Sequence, residues 1–149
     1  MPSYFDSSFL LAAILGQAGG DAAAAKWDSE ETRLASMLLE AECLTVIRRL
    51  AESGNDRRAE DFIAEKTAIL QMHVQQVAVK YVDDEVISRL YSETRLRGCR
   101  TLDALHLATA LVFQDQSAEP ITVCTNDNKM RKAAEILGFH VLSANGFER

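Results

Sequence analysis

The chain is poor in the residues that mark several protein classes. Its 149 residues hold two prolines and a single tryptophan. The three cysteines, Cys43, Cys99 and Cys124, are odd in number and lack metal-ligand spacing, which argues against a disulfide framework or a zinc site. Cys43 and Cys124 lie in apolar contexts and read as buried free thiols, which fits a reducing, cytoplasmic setting. Positive charge is scarce: 16 Lys and Arg against 22 Asp and Glu give a net charge of −6. That excludes a surface coated in basic residues for gripping nucleic acid, though not a local basic rim around an acidic pocket. No apolar run approaches the roughly 20 residues that span a bilayer. The segment Met1 to Asp6 has no basic stretch and meets an acid at once, so it does not read as a secretory signal. Repeats, low-complexity tracts and linkers are also missing. With 48% hydrophobic and 26% charged residues, one soluble domain over 1–149 is expected.

What is present is a regular alternation of short β-prone runs and helical stretches. Ser3-Tyr4-Phe5 reads as a strand, and Phe9 to Leu15 as a helix closed by Gly16. Ala18-Gly19-Gly20 reads as a loosely specified turn, with Asp21 capping an Ala-rich helix from Ala22 to Lys26. Thr32 to Ser36 is a second strand. Ser36 then caps a helix from Met37 to Leu50, whose apolar positions Leu38, Leu39, Cys43, Val46, Ile47 and Leu50 recur at helical spacing. Gly54-Asn55-Asp56 breaks the chain before a helix from Arg57 to Gln71. Val77 to Val79 is a third strand, and Asp83 caps a helix from Asp84 to Leu96. A polar loop spans Gln114 to Pro120. Ile121 to Cys124 is the clearest strand. Lys129 to Leu137 is a helix stopped by Gly138, and Phe139 to Leu142 is the last strand. Such alternation predicts a parallel sheet covered by helices on both faces.

The stretch Thr101 to Leu111 is apolar on nearly every side, as a buried helix is. With Thr101 as its cap, Asp103 falls in the first turn, where the helix dipole favours negative charge. A carboxylate aimed into a packed region still needs compensation. Its own stripe, Asp103, His106, Ala110 and Phe113, holds no Lys or Arg. Asp6 and Asp127 each stand just after a strand, at the edge where parallel sheets bind ligands. Acids gathered there repel one another unless a cation joins them, and hard oxygen donors select magnesium, manganese or calcium. Metal-assisted hydrolysis of a phosphate ester is the reaction class that fits. No Gly-rich phosphate loop, Ser-His-Asp order or zinc spacing competes with it.

Four motifs in order carry a resemblance. Tyr4-Phe5-Asp6-Ser7-Ser8, Ser36 with Glu42 beyond it, Leu102-Asp103-Ala104-Leu105-His106-Leu107-Ala108-Thr109-Ala110, and Thr125-Asn126-Asp127 resemble the motif series of PIN-domain nucleases, in particular the VapC-type toxins of toxin–antitoxin pairs. The likeness runs from Tyr4 to about Leu142. It implies a three-layer α/β/α fold with a parallel sheet of four to five strands. It also implies cleavage of single-stranded or structured RNA by a metal-activated water. Asp6, Asp103 and Asp127 would bind Mg2+ or Mn2+, Glu42 would complete the catalytic acids, and Ser8 and Thr125 would support them. A small antitoxin partner and a homodimer are further implications. Asn126 and Asn128 depart from the pattern, which commonly has an aromatic and a basic residue there.

Each residue also has an ordinary structural reading. Asp6 alone could be a helix cap, Asp103 a first-turn acid and Asp127 a turn residue. Their shared sheet edge favours the metal. Glu42 competes with Glu40, and its spacing from Ser36 decides for Glu42. His106 could shuttle a proton, but a satisfied core histidine is the stronger reading. Arg95, Arg97, Arg100, Lys129, Arg131 and Lys132 form either a rim for an RNA backbone or an ordinary solvated face. Two rival functions remain: a module that keeps the fold but uses an inert acidic pocket only for binding, and a different enzyme class, a magnesium-dependent phosphomonoesterase acting on small esters.

Overall fold

The computed structural model describes residues 1–53 and 57–145. In chain order the elements are β1 (Ser3–Phe5), α1 (Ser7–Leu15), α2 (Gly20–Ser29), β2 (Arg33–Ser36), α3 (Leu38–Glu52), α4 (Arg57–Val74), β3 (Ala78–Lys80), α5 (Asp84–Ser92), a 3-10 turn (Thr94–Leu96), α6 (Thr101–Gln116), β4 (Thr122–Cys124), α7 (Asn128–Ile136) and β5 (His140–Leu142). The five strands form one parallel sheet in the order β3-β2-β1-β4-β5. The expected break at Gly54-Asn55-Asp56 lies outside the described residues. Among the described residues no single helix is long and apolar enough to cross a membrane.

Strand alternation sorts the core into two layers. Tyr4, Leu34 and Val123 point to one face, where they meet Leu107, Ala108 and Leu111 of α6, Val86 of α5 and Met130 of α7. Phe5, Ala35 and Cys124 point to the other, among Phe9 and Leu10 of α1, Trp27 of α2, Leu39, Cys43 and Ile47 of α3 and Leu70 of α4. The period of two along each strand thus feeds two helical layers, giving the three-layer α/β/α arrangement. Full burial of β1 and β4 at the middle of the sheet fits their reading as short apolar runs.

Several local expectations are corrected. Gly19, not Asp21, caps α2; its φ of 76° lies in the left-handed region, and Asp21 sits in the first turn. Nor is the Gly19-Gly20 turn loose. A Cβ on Gly20 would lie 2.4 Å from the Ala12 carbonyl oxygen, so the close approach of α1 and α2 requires glycine there. Ser36 stays in β2 while Met37 takes the cap position of α3, though the Ser36 hydroxyl still accepts from the Leu38 N–H at 3.2 Å. The helix from Asp84 stops at Ser92 because Glu93 turns its carboxylate onto the backbone N–H and guanidinium of Arg95. Arg100 caps α6 in place of Thr101 and has no side-chain capping bond. That helix runs on to Gln116, into the stretch expected to be loop. The Gln114 side chain then closes the connection by accepting from the Ile121 N–H at 2.8 Å.

Candidate active site

The chain leaves β1 for β2 and β3 on one side and returns to β4 and β5 on the other. The gap beyond the ends of β1 and β4 is therefore the point where the winding reverses, a common ligand position in parallel sheets. Asp6 stands there, one residue past β1. Its backbone N–H donates to the Cys124 carbonyl at 3.1 Å, and its side chain caps α1 by accepting from the Phe9 N–H at 3.1 Å. The carboxylate is 4% exposed, yet both its oxygens are served. Ser8 donates to Oδ1 at 2.8 Å and Thr125 to Oδ2 at 2.7 Å. The Asn126 N–H donates in turn to the Ser8 hydroxyl, and the Asp127 N–H to the Thr125 hydroxyl. Burial pushes the Asp6 carboxyl above its ordinary value, and the Thr125 and Ser8 hydroxyls pull it partly back.

Asp127 caps α7. Its Oδ1 accepts from the N–H groups of Lys129 and Met130 at 2.8 and 2.9 Å, and Oδ2 accepts no hydrogen bond among the described residues. Asp103, half-buried in the first turn of α6, accepts no hydrogen bond among the described residues. Its carboxyl is pushed up by burial first and by the Asp127 charge second, with Glu42 adding to this and Arg100 and His106 opposing it. Asp103 therefore feels both Asp127 and Glu42, and His106 acts on both Asp6 and Asp103. Among the described residues no group of three His, Cys, Asp or Glu side chains is arranged so that it could hold a metal ion as it stands. The donors nonetheless suit a hard cation. They are carboxylate oxygens, several keep open lone pairs, and their mutual repulsion is what a divalent ion would relieve.

Glu42 reaches the site from α3 through His106, whose Nε2 bonds the Glu42 Oε1. The other ring nitrogen, Nδ1, pairs with the Tyr4 hydroxyl at 2.8 Å. Burial first, and the Asp6 charge second, raise the Tyr4 phenol well above its usual range, so it keeps its proton. A carboxylate only accepts, so Nε2 carries the hydrogen toward Glu42, while Nδ1 and the Tyr4 hydroxyl share the second bond. His106 is thus a satisfied core histidine, 2% exposed, but its partner is one of the four acids. Glu40 is exposed and makes no such bond. Sequence reasoning missed Tyr4 as a polar partner; strand alternation, which places it on the α6 face, could have found it. Asn126, a departure from the motif, has a structural task. Its Oδ1 accepts from the Ser143 hydroxyl and the Ala144 N–H, tying the loop after β4 to the end of β5.

The six basic residues divide. Arg95, Arg100, Lys129 and Lys132 line one hollow together with Asp103. Arg97 does not line it, and Arg131 pairs with Glu135 one turn along α7 at 3.2 Å.

Comparison with known proteins adds identity to this geometry. The chain is 30% identical over 140 residues to Ribonuclease VapC46 of Mycobacterium tuberculosis, covering 94% of this chain and 95% of that protein. Among solved structures, FitAB bound to an IR36 DNA fragment superposes with a TM-score of 0.67 at 19% identity, over 99% of this chain and 98% of the other. VapBC2 from Rickettsia felis, bound to a DNA fragment from its promoter, gives 0.65 at 14% identity, over 96% and 98% of the two chains. A toxin–antitoxin complex from Klebsiella pneumoniae gives 0.66 at 15%, over 97% and 99%. These three likenesses speak to the fold. The family model described as PIN domain matches residues 3–136, and with it the chain belongs to the PIN-domain family, with a VapC protein as relative.

Proposed function

We propose that this chain is a metal-dependent endoribonuclease of the VapC type, a single domain that hydrolyses phosphodiester bonds of RNA. The observation that carries the reading is Asp6, a carboxylate 4% exposed at the winding reversal of the sheet, electrostatically linked through His106 to Asp103 and Glu42. Burying such a group costs stability, and no Lys or Arg among the described residues pairs with it. A relative named as a ribonuclease supports the same substrate class.

In this reading Asp6, Asp103 and Asp127 would hold Mg2+ or Mn2+ through their carboxylate oxygens. The ion, when bound, supplies charge neutralisation at the phosphate and acidifies water. The chain's own residues do the rest. Ser8 and Thr125 fix the rotamer of Asp6, and α7 fixes Asp127 through its first two N–H groups. Tyr4 and His106 hold Glu42 where it can orient water or take a proton. A small antitoxin, a homodimeric state and a cytoplasmic location accompany the VapC-type reading.

The test is substitution without loss of shape. Asp6→Asn and Asp103→Asn each abolish Mg2+- or Mn2+-dependent cleavage of an RNA oligonucleotide, by about a hundredfold or more, while circular dichroism keeps the native spectrum. Full cleavage by both variants would overturn the mechanism.

A further inference from the structure

Asp103 is also part of the wall of a neighbouring hollow of 360 Å³, within the range of about 300–1,000 Å³ of ordinary ligand sites. The 3-10 turn, α6 and α7 contribute its walls. Four cations line it, in a chain with a net charge of −6. Arg95 is committed elsewhere, held by both oxygens of Glu93 at 2.7 and 2.8 Å. Arg100, Lys129 and Lys132 make no ion pair among the described residues, so three positive groups converge on a space whose one carboxylate, Asp103, is acted on by Arg100. Between them lie the apolar side chains of Cys99 and Ile136, the latter 64% exposed. Like charges gathered around an apolar patch repel one another and gain only when a polyanion with a flat hydrophobic part enters.

We infer that this hollow seats the nucleotide next to the cleaved linkage of a single-stranded RNA. Arg100, Lys129 and Lys132 take its phosphate, and Cys99 and Ile136 take the face of its base. The inference rests on the ribonuclease reading and deepens it. Because Asp103 borders both spaces, a strand whose linkage lies among the acids has its neighbouring nucleotide at this wall. A paired strand would keep its bases stacked inside the helix and could not lay one against Ile136.

The experiment follows binding of a fluorescein-labelled octauridylate to the intact chain by anisotropy, in EDTA so that nothing is cleaved, across a potassium chloride series. Lys129→Gln combined with Lys132→Gln should weaken binding about tenfold or more. The slope of log affinity against log salt should flatten by up to roughly 0.7, the contribution of the one single-strand phosphate that these cations neutralise. Arg58→Gln, an exposed cation at the start of α4, should leave both unchanged. Wild-type affinity and slope in the double variant would overturn the inference. So would equal binding of an abasic octamer, or displacement of the RNA by octaglutamate as readily as by unlabelled octauridylate, which would mark a protein-binding patch. Failure of the ribonuclease reading shows separately, as absence of cleavage when the wild-type chain receives Mg2+ or Mn2+.

Discussion

Asp6 commits its two oxygens to three donors of the protein, whereas Asp103 commits neither to any described residue. The difference sets how each responds to pH. Burial, then Asp127, raise the Asp103 carboxyl above its ordinary value of 3.8, so the native state holds that proton more tightly than the unfolded chain. The resulting stabilisation is complete below pH 3.8 and is lost as pH rises through the raised native value. Asp103→Asn removes the loss. It should melt above the wild type at pH 7, by about 2–4 °C for each kcal/mol relieved, and the gap should close as the pH is lowered toward 3.8. Scanning calorimetry of both proteins across pH 3 to 8 reads this. A wild type equal to or above the variant at neutral pH would contradict it. A group that lowers stability where it is ionised, yet sits at the sheet's ligand edge, is what a functional carboxylate looks like.

At the level of elements, α1 and α2 owe their close packing to one missing methyl group. Gly20→Ala places a Cβ 2.4 Å from the Ala12 carbonyl oxygen, a backbone atom that cannot move alone. We expect a loss of about 1–3 kcal/mol, seen as a lower urea midpoint, with cleavage per folded molecule unchanged. Nothing in Ala18-Gly19-Gly20 distinguishes such a close approach from a flexible turn, because the atom that forbids the methyl comes from another helix. The same limit applies elsewhere. Asp6 and Asp127 were legible because a strand ending on Asp before a helix is a local pattern, and both do cap their helices. Glu42 could be preferred to Glu40 only through motif spacing, since its partner His106 is 64 residues away in sequence. Cap positions slipped by one residue at α3 and α6, where Met37 and Arg100 stand at the cap without a side-chain bond. The end of α5 was hidden because Glu93, an ordinary helix former, there serves Arg95 instead.

For the whole molecule, five parallel strands and two helical layers bring acids from four separated segments to one edge while the surface as a whole stays negative. Repulsion among those acids should make the stability of the folded state respond to a divalent ion. Manganese at a hundred times its dissociation constant should stabilise the chain by about 2.7 kcal/mol, raising the melting temperature. Asp103→Asn should lose most of that response, and chelation with EDTA should reverse it. A melting temperature indifferent to manganese would argue against any divalent site at this edge.

The strand that ends at Asp6 is the middle one of five and has a ladder on each side. To release that carboxylate the protein must part both ladders, which amounts to global unfolding. The 3-10 turn and α7, which bring Arg95, Lys129 and Lys132 to the hollow, belong to neither ladder and can loosen without parting them. Anchor and grip therefore open with very different free energies, so part of the wall around the hollow can yield to nucleotides of different size while Asp6 stays put.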